Sequence, residues 1–526
     1  MGIRHRSTAR LAATWAITIG TILACGAGSV RWAAAQPPPL PLPPVPVPVQ
    51  NPITEQKRVL GKILFFEEQL SFDNSVACGT CHQPGAGSAD ARSGRHPGRD
   101  AVFFTADDVL GSAGVRRADQ LGHYETDPIF GEDAQVTSRT TPGFLGTLWA
   151  PELFWDGRAR QQFEDPEGGG VLIPIGGALE NQALGPILNS VEMAHASGTW
   201  EQVREKLALA PPLALATDLP SDVATAIAAH PSYPALFAAA FGDPEISAAR
   251  IAYAIATYER TLVPDETPWD RFIAGDNGAM TQRQVAGWNA FRAGPCATCH
   301  TPPFFSDHTF RNIGLRPIVE DNGRQAVTGQ NGDRGRFKVP SLRNVGLRPR
   351  LMHNGMVIDV RDAFGFYTNP GRHFPENQDP IVQGGLPLPP PNVLTDIVNF
   401  LENGLTDPRV AAETFPFDRP TLRSELPPSA VDLIELVSPV TASPNPFRGV
   451  TVISFASTPR SSRGALIYNA LGAEVRRLSA PDAASGEIGL TWDGRDDSGR
   501  PAAPGVYFIR VDGAKSASAA RVIRVR

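Results

Sequence analysis

The sequence CGTCH at residues 78–82 recurs as CATCH at residues 296–300. Two cysteines that are separated by two residues and followed directly by a histidine form the attachment motif of c-type haem. The cysteines form thioether bonds to the haem, and the histidine is delivered to the iron as an axial ligand. A zinc site would need four ligands together, and a thioredoxin-like cysteine pair does not need the histidine. The repeat therefore predicts two covalently bound haem c groups.

These two motifs contain every cysteine of the chain except Cys25. The motifs lie 218 residues apart, which favours two related haem domains over a short-period repeat. The predicted cofactor-binding residues are Cys78, Cys81, His82, Cys296, Cys299 and His300, with His82 and His300 as iron ligands.

Length and composition describe a folded chain of several domains. The 526 residues suggest three or four domains of roughly 150 residues each. A hydrophobic content of 42% is enough to build more than one core. The net charge of −6 gives no basic footprint, which argues against a nucleic-acid partner. No apolar run after the N-terminus reaches the roughly 18 residues of a membrane span, which excludes a channel or transporter.

Residues 1–35 have the pattern of an export signal. Three arginines precede an apolar stretch at residues 11–24, and Ala33-Ala34-Ala35 forms a small-residue cleavage site. A retained membrane anchor is one alternative. A lipoprotein modified at Cys25 is another, because residues 22–25 are similar to a lipobox. All three interpretations export the chain, to the periplasm or the cell surface.

Proline-rich segments divide the rest of the chain. The predicted order is a linker at 36–52, an N-terminal haem domain at 53–265, a C-terminal haem domain at 266–419, a linker at 420–436 and a tail domain at 437–526. Apolar residues at helical spacing predict helices over 247–263, 282–293 and 393–403. Thr281 is the predicted N-cap of the second helix, and Gly404 is predicted to end the third.

The tail domain is rich in β-forming residues. Alternating runs predict strands over residues 451–455, 464–468 and 505–511, and turns separate them at 493–494 and 497–499. This pattern is typical of a small β-sandwich. Because the tail contains no cluster of titratable residues, we expect it to be non-catalytic.

With these motifs, residues 53–405 resemble the bacterial di-haem cytochrome c peroxidase and MauG family. The family's landmarks occur in its order: CGTCH at 78–82, FWDGR at 154–158, VEM at 191–193, CATCH at 296–300, FKVPSLRN at 337–344 and MHNG at 352–355. The tail is similar to FlgD-like immunoglobulin domains, which can attach exported proteins to the cell surface. The resemblance implies a mainly α fold with two cytochrome c-like haem domains, followed by a small all-β immunoglobulin-like sandwich.

The resemblance also implies roles for three further residues. Glu192 matches the acid/base glutamate beside the peroxide-binding first haem, and Trp155 matches the tryptophan that carries electrons between the haems. The sixth ligand of the second, electron-relay haem falls at Tyr367, which is tyrosine in MauG-like members and methionine in the peroxidases. A surface glutamate, a core tryptophan and a packed tyrosine are the structural alternatives. Met352 and Met356 lie nearer the motif but out of register.

The chain departs from the family pattern between the first motif and Arg139, where it is longer. This stretch contains His96 and His123, and either could cap the first haem or be a solvated loop residue. The acidic turn that contains Asp100, Thr105, Asp107 and Asp108 could bind calcium, although a solvated turn is the favoured interpretation. An inter-haem calcium is in doubt as well, because Thr140 stands where the family has asparagine.

The function implied by the resemblance is the reduction of hydrogen peroxide, with electrons from a small c-type cytochrome or cupredoxin. One alternative is a MauG-like oxidase that uses high-valent haem to modify a protein or a small molecule. Another is a non-catalytic di-haem electron-transfer cytochrome. Glu192 separates these possibilities, because only the two enzymes need an acid/base group beside the iron.

Overall fold

The computed structural model describes residues 40–92, 94–426, 441–457, 464–469, 473–479, 486–511 and 519–525. The predicted export signal, Cys25 and residues 427–440, which include most of the second linker, lie outside these ranges. Within the described ranges, no helix combines the length and the apolar character that a membrane crossing requires.

Helices dominate the part of the chain that carries the two motifs. In chain order the α-helices are α1 (Glu55–Phe65), α2 (Cys78–Cys81), α3 (Ala178–Leu184), α4 (Trp200–Leu209), α5 (Ser221–Ala229), α6 (Tyr233–Phe241), α7 (Ala248–Glu259), α8 (Pro268–Ile273), α9 (Gln282–Ala293), α10 (Gln325–Thr328), α11 (Val360–Tyr367), α12 (Pro391–Asn399) and α13 (Pro408–Ala411). This region is therefore mainly α, as predicted.

Four short antiparallel strand pairs accompany these helices. They are β1 (Gly94–His96) with β2 (Val109–Gly111), β3 (Ala113–Arg116) with β4 (Ala134–Val136), β5 (Phe163–Glu164) with β6 (Val171–Ile173), and β7 (Phe310–Arg311) with β8 (Phe337–Lys338). The first two pairs lie in the long stretch between the first motif and Arg139. That stretch is therefore an ordered part of the N-terminal half, by which we mean residues 53–265. The C-terminal half is residues 266–419.

The three predicted helices are confirmed as α7, α9 and α12. Ser247 caps α7, and Thr281 caps α9 by accepting a hydrogen bond from the backbone N–H of Gln284. The third helix begins at Pro391 and ends at Asn399, and a π-helical turn, Phe400–Gly404, continues it to the predicted end. The sequence signals that cap helices therefore located these boundaries to within a few residues.

A glycine brings two helices into backbone contact in each half of the chain. A Cβ atom on Gly61 of α1 would lie 1.9 Å from the carbonyl oxygen of Ala254 in α7. A Cβ atom on Gly287 of α9 would lie 2.0 Å from the carbonyl oxygen of Asp396 in α12. Only glycine allows so close an approach. The pairs α1–α7 and α9–α12 therefore have the same construction in the two halves.

The first predicted linker runs along the haem-motif region without a helix or strand over residues 40–52. The indole N–H of Trp149 donates to the carbonyl of Pro43 at 3.0 Å. The side chain of Asn51 donates to Glu180 at 2.9 Å, and Arg260 donates to the carbonyl of Pro46 at 3.3 Å. This extended segment is therefore held against the folded core by hydrogen bonds.

The tail consists of two antiparallel sheets. The strands are β9 (Thr441–Ser443), β10 (Thr451–Ser457), β11 (Gly464–Asn469), β12 (Glu474–Ser479), β13 (Gly486–Trp492), β14 (Gly505–Val511) and β15 (Ala519–Arg524). The order is β13-β10-β9 in one sheet and β12-β11-β14-β15 in the other. Ile453 and Trp492 of the first sheet share a core with Ile467 and Ile509 of the second. The three predicted strands are confirmed as β10, β11 and β14.

We expect Gly61→Ala to lower the free energy of unfolding by about 1–3 kcal/mol, because the added methyl group would force α1 away from α7. Chemical unfolding followed by circular dichroism measures this loss. Gly332→Ala is the matched control, since a Cβ atom there meets nothing within 4 Å. Equal stability of the two variants would contradict the proposed backbone contact.

Candidate active site

A cavity of about 520 Å³ lies beside the first motif. Cys78, Cys81 and His82 line this first cavity, and so do Trp155 and Glu192. Phe65 of α1 and Ile255 of α7 form part of the wall, so the helix pair of the N-terminal half positions the site. The volume is in the usual range for cofactor pockets. The fold therefore brings the first motif and two further predicted residues together.

The second motif lines two adjoining cavities of about 410 and 170 Å³. We call these the apolar and the polar lobe of the second cavity. Both lobes are lined by Cys296, His300 and Tyr367. Residues of α9 and α12 form one wall of the apolar lobe, which repeats the arrangement of the first cavity.

The two motif histidines are oriented in the same way. The Nδ1 atom of His82 lies 3.1 Å from the carbonyl oxygen of Ser88, and the Nδ1 atom of His300 lies 3.1 Å from the carbonyl oxygen of Phe305. A proton on Nδ1 satisfies each carbonyl and leaves Nε2 free for a metal. Burial lowers the pKa of both side chains, which favours the neutral, metal-binding form.

No disulfide bond joins the four motif cysteines. Burial raises the pKa of all four thiols, whereas a reactive redox cysteine needs a lowered pKa. Across the described residues, no group of three or more His, Cys, Asp or Glu side chains is arranged to hold a metal ion. These properties do not fit a zinc site or a redox pair. They fit thioether attachment of haem in both cavities.

Glu192 is held in the first cavity by its backbone. Its N–H donates to Asn189, and the neighbouring Val191 carbonyl accepts from the N–H of Val115 in β3 at 3.0 Å. Gly114 allows this contact, because a Cβ atom there would lie 1.9 Å from the Val191 oxygen. Burial raises the pKa of the Glu192 carboxyl, while Arg158 acts in the opposite direction. The carboxyl is therefore suited to exchange a proton inside the cavity.

Trp155 lines both the first cavity and the polar lobe of the second. Its indole N–H donates to the carbonyl of Thr140 at 2.7 Å, and its own carbonyl accepts from the N–H of Lys338 at 2.8 Å. Its ring centroid lies 6.2 Å from that of His353, which stacks on Phe337 at 3.6 Å. The tryptophan is therefore a fixed aromatic group between the two sites.

Tyr367 is the last residue of α11 and borders both lobes of the second cavity. Burial raises the pKa of its phenol well above the ordinary value. The phenolate would therefore form here only beside a strong cation such as a metal. Met352 also lines the polar lobe, whereas Met356 is 40% exposed.

The two histidines of the long N-terminal stretch lie in different environments. His96 belongs to β1 and lines the first cavity, where its Nδ1 accepts from the N–H of Gly98 at 3.1 Å. The side chain of His123 is 73% exposed and pairs with Asp119 at 3.3 Å. Of these two residues, only His96 is positioned to approach the first haem.

The acidic turn directs its carboxylates toward its own chain. Asp107 accepts hydrogen bonds from the backbone N–H groups of Arg99 and Asp100 and from the hydroxyl of Thr105. Asp108 accepts from Arg95 at 2.6 Å. The prediction of calcium binding at this turn gains no support from this arrangement.

Thr140 uses its polar groups on protein partners in a similar way. Its N–H donates to the carbonyl of His353, its hydroxyl donates to the carbonyl of Leu110 at 2.6 Å, and its carbonyl accepts from Trp155. Calcium between the haems gains no support at this position either.

Several charged residues at the two cavities have no role in the sequence analysis. Arg139 pairs with Asp156 at 2.6 Å and with Asp321 at 2.7 Å, which joins the two halves of the chain. Glu259 lines the first cavity, and burial raises its pKa to about 8. Glu259 is the one acidic residue of the mostly apolar helix α7, and this signal could have identified it. Lys338 lines both the first cavity and the polar lobe, and Arg348 lines the polar lobe.

Comparison with known proteins agrees with this geometry. The family model of di-haem cytochrome c peroxidase matches residues 55–278, and that of the FlgD Ig-like domain matches residues 445–517. The methylamine utilization protein MauG of Methylorubrum extorquens is 31% identical over 329 residues, which cover 62% of this chain and 72% of that protein. The cytochrome c551 peroxidase of Nitrosomonas europaea is 28% identical, over 58% of this chain and 70% of that protein.

A solved structure of a MauG-like protein associated with microbial copper homeostasis has a similar fold. It has a TM-score of 0.50 and 22% sequence identity, over 74% of this chain and 98% of that chain. The helical region therefore has the fold of a di-haem protein of this kind. The chain belongs to the di-haem cytochrome c peroxidase and MauG family, and it is an oxidoreductase that acts on peroxide.

Proposed function

We propose that the protein reduces hydrogen peroxide to water in the first cavity, with electrons that enter at the second. The observation that carries this proposal is the shared lining of the first cavity by His82, Glu192 and Trp155. Peroxide reduction needs a metal with an accessible position, a proton-transfer group beside it and a route for electrons. His82 would hold the metal, Glu192 would transfer the proton and Trp155 would provide the route for electrons.

Two c-type haems supply the redox chemistry when they are bound. Cys78, Cys81 and His82 would hold the first, and Cys296, Cys299 and His300 would hold the second. The residues at 53–265 and 266–419 would then form two cytochrome c-like domains. The matching α1–α7 and α9–α12 pairs support this division.

Glu192 would move the proton between the two peroxide oxygens. Its carboxylate would accept a proton from one peroxide oxygen and deliver it to the other oxygen, which leaves as water. The raised pKa of the buried carboxyl brings it closer to neutral pH, where both transfers are efficient.

Trp155 would carry electrons between the sites, because it borders both cavities and its indole is fixed by the hydrogen bond to Thr140. The donor would be a small c-type cytochrome or a cupredoxin of the periplasm. The export signal would bring the chain there, and the tail could attach it to the cell surface.

A second candidate function is the oxidation of a protein or small molecule, as in MauG-like enzymes. The observation that favours it is Tyr367, which lies in the second cavity with His300 and would bind the second haem as a phenolate. An anionic oxygen ligand stabilises the oxidised metal and lowers its reduction potential. Steady turnover of peroxide with a reduced cytochrome would favour the first candidate.

Replacement of Glu192 by Gln should lower the rate of peroxide reduction by about 10²–10⁴-fold, because the amide cannot accept the proton. Stopped-flow measurement of peroxide consumption checks this. In the parent protein the rate should fall as the pH drops through the raised pKa of Glu192, since protonation removes the base. Glu205→Gln on the exposed face of α4 is the control. Full turnover by Glu192→Gln would refute the assignment.

Substitution of His96 by Gly should change the low-temperature EPR signal of the first ferric haem, because His96 is the histidine of the long stretch that lines its cavity. His123→Gly is the matched control and should leave the spectrum unchanged, since its ring lies at the surface. If the His96 variant has the spectrum of the parent, His96 does not reach the iron.

Tyr367→Met should raise the reduction potential of the second haem, because a neutral thioether replaces an anionic oxygen. Spectroelectrochemical titration measures the potential. Met356→Leu serves as the control for a nearby change outside the cavity. An unchanged potential in Tyr367→Met would mean that Tyr367 is not a ligand.

A further inference from the structure

The two lobes of the second cavity differ in charge. The apolar lobe has no charged side chain among its lining residues, and Phe364, Leu388 and Val393 are typical of them. The polar lobe has four cationic side chains and a single carboxylate, that of Asp379. Asp379 already pairs with one of the cations, Arg311, at 3.0 Å. The polar lobe therefore has an excess of positive charge.

Arg348 is the clearest case of a cation without a counter-charge. Its Nε atom is buried and has no hydrogen-bond partner, and Nη2 makes one long contact of 3.5 Å to the carbonyl of Arg343. Among the described residues no carboxylate forms an ion pair with it. Burial alone lowers the pKa of its guanidinium to about 10. A buried charge in this state is costly unless an anion accompanies it.

The position of Arg348 is created by glycines of the N-terminal half. A Cβ atom on Gly143 would lie 2.8 Å from Nη2 of Arg348, and one on Gly87 would lie 2.9 Å from its Cγ. The side chain therefore reaches across the contact between the two halves. Its place is built by the fold of both halves together.

Lys338 is a second buried cation, and it lines the first cavity as well as the polar lobe. The residue is 6% exposed, and its Nζ atom has no hydrogen-bond partner. Its ammonium lies 5.8 Å from the centroid of the Phe310 ring, and it forms no ion pair in the part of the chain that the structure describes. The lobe thus holds two cations that each have a buried donor nitrogen without a hydrogen-bond partner, Nε of Arg348 and Nζ of Lys338.

A haem is an amphiphilic ligand with an apolar ring and two propionate carboxylates along one edge. We propose that Arg348 and Lys338 bind the propionates of the second haem, and that they raise its reduction potential. The apolar lobe would receive the apolar part of the ring. Guanidinium is well suited to this task, because its planar N–H groups match a carboxylate. The proposal rests on the presence of the second haem at Cys296–His300.

The effect on the potential follows from electrostatics. The ferric haem carries one more positive charge than the ferrous haem, so a nearby cation destabilises the ferric form. The two cations would also neutralise the propionates, whose negative charge favours ferric iron. Arg348 and Lys338 would therefore oppose the lowering of the potential by Tyr367.

The test is a spectroelectrochemical titration of the holoprotein, with the two haems resolved by EPR at fixed potentials. Arg348→Met should shift the equilibrium of the second haem at least tenfold toward the ferric form, which is about 59 mV for one electron. Arg348→Lys keeps the charge and should shift it less than threefold. Lys338→Met should shift the equilibrium of the second haem in the same direction as Arg348→Met. The Lys338 variant provides an independent measurement if Arg348→Met does not mature.

The matched control is Arg283→Met, which removes a cation from the exposed face of α9, where Arg283 pairs with Asp396. The reduction potential of the second haem in Arg283→Met should equal that of the parent protein. Mass spectrometry counts the attached haems in each protein. A parent with one haem would overturn the proposed function and this inference together. Two attached haems, with the second-haem potential unchanged in both methionine variants, would overturn this inference alone.

Discussion

Trp155 is fixed between the two cavities by hydrogen bonds to both halves of the chain. Its indole donates to Thr140 in the N-terminal half, and its carbonyl accepts from Lys338 in the C-terminal half. Arg139 strengthens the same contact, because its guanidinium pairs with Asp156 on one side and Asp321 on the other. Electron transfer between two bound cofactors needs a fixed separation. This small set of bonds would provide that separation, and the proposed chemistry in both cavities depends on it.

Burial favours the uncharged form of each titratable group at the sites, and the consequence differs from group to group. It favours neutral imidazole at His82 and His300, so that both rings can bind a metal through Nε2. It raises the pKa of Glu192, which suits a group that both accepts and donates a proton. It also disfavours the phenolate of Tyr367 and the free cation at Arg348, and both would be stabilised by a bound haem. A single cofactor would thus stabilise the charged forms of two groups, which burial disfavours in its absence.

Local patterns located the motifs, the caps and several strands, because these features depend on neighbouring residues. The spacing of each cysteine pair and its histidine is set within five residues, and Thr281 caps α9 from one position before it. Local patterns could not predict the different environments of His96 and His123. Both histidines lie in the same long stretch. His96 lies in β1, which pairs with β2, and it lines the first cavity, whereas His123 lies at the surface beside Asp119.

The sequence by itself predicted which residues can hold two haems, and it determined the family of the chain and its division into a helical region and a β-rich tail. Covalent attachment and helix capping are encoded locally, so no distant contact was needed to infer them. Only the tertiary structure decided that Trp155 borders both cavities, and that Arg348 and Lys338 lie in one lobe with no carboxylate partner among the residues that the structure describes. These features arise where residues from both halves meet, and a charge becomes costly only once the fold has removed water from around it.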